Sequence, residues 1–137
     1  MAHSADTLNY LTVQDMLWIN LQVTKKVNSY HFMKLEEGTF YQYGYGASTD
    51  LMSQAARFVK GFAKNAPFAD GNDMTALVGF LAFLRINGYQ LDLPVSELKS
   101  ALANPEPVLA KAQKDEHWHG TTREAIQQVL DTISAPA

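Results

Sequence analysis

The stretch from Asn72 to Asn87 limits what this chain can fold into more than any other. Leu77, Val78, Phe80, Leu81, Phe83, Leu84 and Ile86 leave almost no polar face. A surface helix carries one apolar stripe, whereas a helix apolar all round has to be surrounded. The unbroken apolar run, Ala76 to Leu84, is far too short to span a bilayer. The expectation is a central helix buried on most sides, with Gly79 and Ala82 letting neighbours approach closely. Gly88, just after Asn87, reads as a left-handed C-cap.

The rest of the chain supplies helices to wrap it. Thr12 and Asp15 have capping-box spacing, and Val13, Met16, Leu17, Leu21 and Val27 follow at roughly helical intervals. That first helix is expected to end between Lys26 and Ser29. A second opens at Ser48, Thr49 or Asp50 and carries the stripe Leu51, Ala55, Phe58, Val59, Phe62 and Ala63. It should stop before Pro67, since the residue preceding a proline is pushed out of the helical region. Pro94 suits the first turn of a helix over Val95 to Ala103, with Asn104-Pro105 ending it. A short helix is expected over Val108 to Lys114. Thr121 and Glu124 form a true capping-box pair opening a last helix with Ala125, Ile126, Val129, Leu130 and Ile133. Nothing demands a sheet. The fold expected is all-α, one domain over 1–137, with residues 1–8 as a loose tail.

Composition narrows the function classes. Hydrophobic residues are 47% and charged residues 18% of 137, enough to pack one core. The net charge of −3 and the lack of a basic stripe argue against nucleic acid. With no cysteine there is no disulfide, thiol nucleophile or thiolate metal site. No secretion signal opens the sequence. The expectation is a cytoplasmic protein with neither nucleic-acid nor membrane partners.

Two other segments draw attention. From Tyr30 to Ala47, Phe40, Tyr41, Tyr43 and Tyr45 mix with Gln42, Gly44 and Gly46. We read this as loop or short strand, because glycine at alternate positions spoils a helix. Its tyrosines either cover the core or form a flap over a site; the former is favoured, since exposed tyrosines need no ligand. His117-Trp118-His119 offers two possible metal ligands without a third, and a surface turn with Trp118 tucked inward is the plainer reading.

The loop before the central helix is the most informative: Ala66-Pro67-Phe68-Ala69-Asp70-Gly71-Asn72-Asp73-Met74-Thr75. A glycine-containing loop entering a helix aims free backbone N–H groups outward, and such helix starts bind anions. Alone, the pattern fits equally well with Asp70, Asn72 and Asp73 as caps satisfying those donors internally.

Taken with Lys64-Asn65 before it and Ala76-Leu77 after it, this run resembles the signature of the Doc (death-on-curing) branch of the Fic family, approximately H-x-F-x-D-G-N-K-R-T-A-L. The likeness continues through Phe83-Leu84-Arg85-Ile86-Asn87-Gly88-Tyr89 and Leu91-Asp92-Leu93-Pro94. It also covers Leu11 to Ile19. The resemblance implies a Fic/Doc-like helical bundle around the helix at Asn72 to Asn87. It implies a transferase acting with ATP and Mg²⁺ on a protein hydroxyl. Position by position, Asp70 matches the magnesium-binding acid, Gly71 the turn and Asn72 a phosphate-facing residue. Phe68 matches the anchor of the loop and Thr75 the threonine after the basic pair.

Three positions depart from that pattern. Ala66 stands where the general-base histidine belongs, Asp73 where a lysine or glycine is usual, and Met74 where an arginine is usual. Losing a positioned base costs about 10²–10⁴-fold in rate. At an effective dielectric of about 20, like charges about 4 Å apart repel by about 4 kcal/mol, so Asp73 opposes a phosphate. Met74 removes a planar two-point donor. Asn20 also departs from a histidine often found in the first helix of the family. No catalytic residue is assigned. The expectation is a catalytically inactive Doc/Fic-fold protein that binds a protein partner, an antitoxin-like peptide or a translation factor, in a toxin–antitoxin setting. The alternative is a divergent nucleotide- or metal-dependent transferase, for which alone Mg²⁺ and ATP would be cofactors.

Overall fold

Four of the helices start where a side chain answers the free N–H groups of the first turn. The computed structural model describes residues 8–46 and 49–134. Helix α1, Val13–Thr24, opens on the reciprocal cap: the Asp15 N–H donates to Thr12 Oγ1 (3.1 Å) and the Thr12 N–H to Asp15 Oδ2 (2.8 Å). It ends at Lys25, whose backbone is left-handed, slightly before the expected end. Helix α3, Leu51–Asn65, begins at Asp50, which takes the Ser53 N–H at 3.0 Å. Asp50 is thus the cap among the three candidates, of which Ser48 lies outside the described residues.

Between them the structure corrects the sequence reading. Phe32–Phe40 is helix α2, not loop or strand. His31 caps it by accepting the Lys34 N–H at Nδ1 (3.3 Å). The glycines that argued against a helix, Gly44 and Gly46, lie beyond its end. Gly38 lies within it because α3 comes close: a Cβ there would stand 3.0 Å from Phe62 Cδ2. Leu35, Gly38 and Thr39 form the buried side.

The central helix α4, Asn72–Ile86, is buried at every position from Thr75 to Leu84. It packs against α3, α7 and α1. Gly79 faces Met16, whose Cε would sit 2.8 Å from an added Cβ. Phe58 meets Phe62 and Phe83 edge-on, at 5.9 and 6.1 Å between ring centres, and this cluster is the middle of the core. Gly88 has φ +85°, as its position after the helix requires.

The chain then makes a two-residue strand β1, Tyr89–Gln90, helix α5, Val95–Lys99, and a 3-10 turn, Ser100–Leu102. Helix α6 is Pro105–Leu109, so Pro105 starts a helix as well as ending the previous one. The expected helix over Val108 to Lys114 is therefore displaced. Its end, Gln113–Lys114, is strand β2, paired antiparallel with β1. This two-residue pairing is the one sheet among the described residues; the architecture is otherwise helical, as expected. Helix α7, Thr122–Ser134, opens on the predicted box, with the Glu124 N–H on Thr121 Oγ1 (3.1 Å) and the Thr121 N–H on Glu124 Oε1 (3.0 Å).

Two amides fasten the segment before α1. Gln42, fully buried, accepts the Leu11 N–H (2.8 Å) and donates to the Leu11 carbonyl (2.6 Å). Asn87 accepts the Asn9 N–H (2.8 Å) and donates to the Asn9 carbonyl (2.9 Å). Of the expected tail, residues 1–7 lie outside the described residues. Among the described residues no helix is long and apolar enough to cross a membrane.

Candidate functional site

The loop expected to carry the chemistry joins the end of α3 to the start of α4. Ala66 caps α3 with φ 47° and ψ 61°, and is exposed. Pro67 and Phe68 turn inward, and the Phe68 ring packs near Tyr30 (6.0 Å) and Phe62 (6.5 Å). Phe68 is thus buried against the core. A backbone ladder holds the loop from the other side. The His31 N–H donates to the Pro67 carbonyl and the Ala69 N–H to the Ser29 carbonyl, both at 2.9 Å. Tyr30 and Phe68 thus face each other across an antiparallel bridge.

Asn72 closes the loop from within. Its Oδ1 accepts the Phe68 N–H (2.9 Å) and its Nδ2 donates to the Phe68 carbonyl (2.8 Å). Both ends of this amide are engaged inside the loop. Gly71, at φ +77°, is the N-cap of α4; a Cβ there would lie 2.3 Å from Thr24 Cγ2. No side chain caps α4, so the donors of its first turn keep their capacity for an anion.

Asp70 is exposed, and its charge is met internally. Oδ1 takes the Gly71 N–H (2.9 Å), and Oδ2 pairs with Lys26 Nζ (3.1 Å). The Lys26 ammonium, helped by the Gly71 N–H, holds its carboxyl below the usual carboxylate range. Behind the loop, Asn20 Nδ2 donates to the Asp70 carbonyl (2.9 Å) and to Thr75 Oγ1 (3.1 Å). Asn28 Nδ2 reaches Asn20 Oδ1 and Thr24 Oγ1, both at 2.9 Å. Thr75 is fully buried in this cluster. Asp73 is exposed on the first turn of α4, while Met74 is half-buried beside Val23, Leu130 and Ile133.

The suggested site residues, Ala66, Phe68, Asp70, Gly71, Asn72, Asp73, Met74 and Thr75, are thus brought together on one loop and one helix turn. Phe68 and Thr75 face inward, and Asp70 and Asp73 are exposed. Lys26 and Asn28 were not picked out from the sequence, and Asn20 was noted only as a departure from the family's histidine. The only signal was the Lys25-Lys26 pair, because an ion pair across 44 residues leaves no local pattern. Tyr45 and Tyr43, the residues of a possible flap, are tied to α3: Arg57 lies 4.1 Å over the Tyr45 ring and donates to the Tyr43 carbonyl. Tyr43 also stacks on Tyr10 at 4.1 Å.

Among the described residues no histidine stands in the loop itself, although the His31 backbone N–H donates to its Pro67 carbonyl. His31 spends Nδ1 on capping α2. His117 and His119 lie near Asp115, which binds Arg85 in the last turn of α4. That is the far end of a helix about 20 Å long. Trp118 there is half-buried under the Arg85 guanidinium, 4.4 Å from the ring centre. Among the described residues no three acidic, histidine or cysteine side chains gather as a metal site. Magnesium takes one or two carboxylates together with phosphate and water oxygens. Asp70 supplies one carboxylate, already shared with Lys26. By themselves these described residues offer too few ligands to hold a metal permanently without a phosphate-bearing ligand.

A family model described as Fic/DOC family matches residues 24–84. Comparisons with curated proteins and with solved structures gave no match. The matched segment runs from the last residue of α1 through α2, α3 and the loop to the last turn of α4. Over these elements the chain is similar to the Fic/DOC family.

Proposed function

We propose that this chain uses the Fic/DOC fold to bind a protein partner and does not transfer phosphate or AMP, in a role akin to toxin–antitoxin pairing. One observation supports the reading: the side chains of Asp70 and Asn72 are already engaged within the protein. Asn72 spends both amide groups on Phe68, and Lys26 neutralises Asp70, the acid that would meet a metal. Ala66 offers no proton acceptor at the base position, and Asp73 adds negative charge where a nucleotide's phosphates would lie. The test is label transfer from ATP, with Mg²⁺, to any protein in a bacterial extract or to the chain itself. No transfer above the Asp70→Ala control is expected. Transfer that disappears in Asp70→Ala overturns the proposal. The triple change Ala66→His, Asp73→Lys and Met74→Arg should raise affinity for Mg-ATP, read as a ligand-dependent rise in Tm.

A second reading has its own support. The start of α4 has no side-chain cap, and Asp70 and Asp73 stay exposed beside it. Those features suit a divergent transferase using a metal-bound nucleotide. Calorimetry with Mg²⁺ and ATP at millimolar concentration separates the two readings: heat of binding favours the second, and its absence rejects it.

A further inference from the structure

Exposed apolar side chains gather where α1 hands over to α2. Val27 is 90% exposed, Met33 72%, Phe32 56% and Tyr30 46%. Apolar residues scattered singly over a surface need no explanation, but four within seven positions do. Lys25, Lys26 and Lys34 are exposed in the same stretch, and no acidic residue occurs from Met16 to Leu35. In a chain of net charge −3 this is a local reversal of sign. The stretch is held in place rather than loose, because Tyr30 is bridged to Phe68 and His31 to Pro67.

We infer that this surface docks an acidic peptide segment carrying interleaved apolar side chains, and that it is the partner-binding face of the protein. The inference rests on the binding role proposed above. Charge decides the occupant. A second copy docked by two-fold symmetry would bring the same lysines face to face, and like charges across an interface are unfavourable. A flat anionic bilayer would meet the exposed Asp70 and Asp73 of the adjoining loop together with the lysines. A peptide ribbon can follow the lysines and avoid both carboxylates. Its apolar side chains would cover Val27, Phe32 and Met33, and its carboxylates would meet Lys25 and Lys34. Lys26 remains with Asp70.

The probe is a displayed library of random dodecapeptides selected on the full chain. The selected pool is expected to be enriched in Asp and Glu alternating with Leu, Phe or Met. The affinity of a selected synthetic peptide should fall about tenfold in Lys25→Glu/Lys34→Glu, and about as much in Phe32→Ser/Met33→Ser. It should also weaken with added salt. Val27→Asp guards against misfolding, because a side chain this exposed is not needed by the core; it too should weaken binding while leaving Tm unchanged. A pool without acidic enrichment, or affinities indifferent to all three variants, overturns the inference. So does concentration-dependent dimerisation abolished by Val27→Asp, or binding to phosphatidylserine vesicles with none to peptides. The ATP-transfer assay is independent of this selection, so failure of either idea is recognised separately.

Discussion

Ala66 and Gly71 both have positive φ, and they carry that conformation at different cost. Ala66, at φ 47°, is an alanine in a region that side chains disfavour. Ala66→Gly is expected to stabilise the fold by about 1 kcal/mol. Gly71→Ala goes the other way: the new Cβ meets Thr24 Cγ2 at 2.3 Å in addition to the strain at φ +77°. That substitution should cost about 2–4 kcal/mol, the strain and overpacking terms together. Urea titration of the two variants checks both signs. Gly71 was legible as a turn residue because glycine advertises positive φ. Ala66 was legible only through its resemblance to a motif position, since nothing in an alanine announces a left-handed backbone. Asp70 was read as a cap or, by resemblance, as a metal-binding acid, and its partner was not legible, because the pair with Lys26 forms only after the chain has folded.

At the scale of elements, the loop is a small structural unit closed by one side chain. Asn72→Ala removes both bonds to Phe68 and leaves part-buried backbone groups unanswered. A loss of about 1–3 kcal/mol is expected, with faster hydrogen exchange at the Phe68 amide as the direct readout. Unchanged exchange there would show that the loop does not depend on this closure. The strongly patterned elements were readable: α3 by its stripe, α4 by its lack of a polar face, and α1 and α7 by their capping boxes. Helix α2 was hidden for a physical reason. It is nine residues long, with a buried side of only Leu35, Gly38 and Thr39, and that is too few to set a period. Its glycine, which counts against a helix in isolation, is what lets α2 lie against Phe62. Strand β2 was hidden because two residues carry no alternation and owe their form to the partner strand.

For the whole molecule, the far end of α4 holds the bundle together through charge. Arg85 pairs with Asp115 at 2.8 Å and donates to Gln128 of α7 at 3.2 Å, beneath Trp118. The Arg85 guanidinium, with the His117 N–H, holds the Asp115 carboxyl below its usual range. A group whose pKa is lowered on folding contributes stability above its unfolded value. That contribution is lost as pH falls through the folded value. Asp115 therefore supports the fold fully above about pH 4 and less at more acidic pH. Asp115→Asn should lower Tm at pH 7 and reduce the further drop in Tm on acidification below about pH 4. Equal acid sensitivity in the variant would place that drop elsewhere. The burial of α4 was legible as a global property, whereas this charge cluster was not. Arg85, Asp115 and Gln128 come from three separated segments.

The pair of bonds between Asn9 and Asn87 also sets an order of events. The residues are 78 positions apart, so they meet only after α4 has found its place among α1, α3 and α7. Closing so long a span early would cost loop entropy without reward. This contact is expected to form after the transition state for folding, with a φ-value near 0. Asn87→Ala should then leave the refolding rate almost unchanged and speed unfolding, measured by stopped-flow in urea. The amide at the end of the central helix would act as a brake on unfolding, setting how long the folded molecule lasts rather than how quickly it forms.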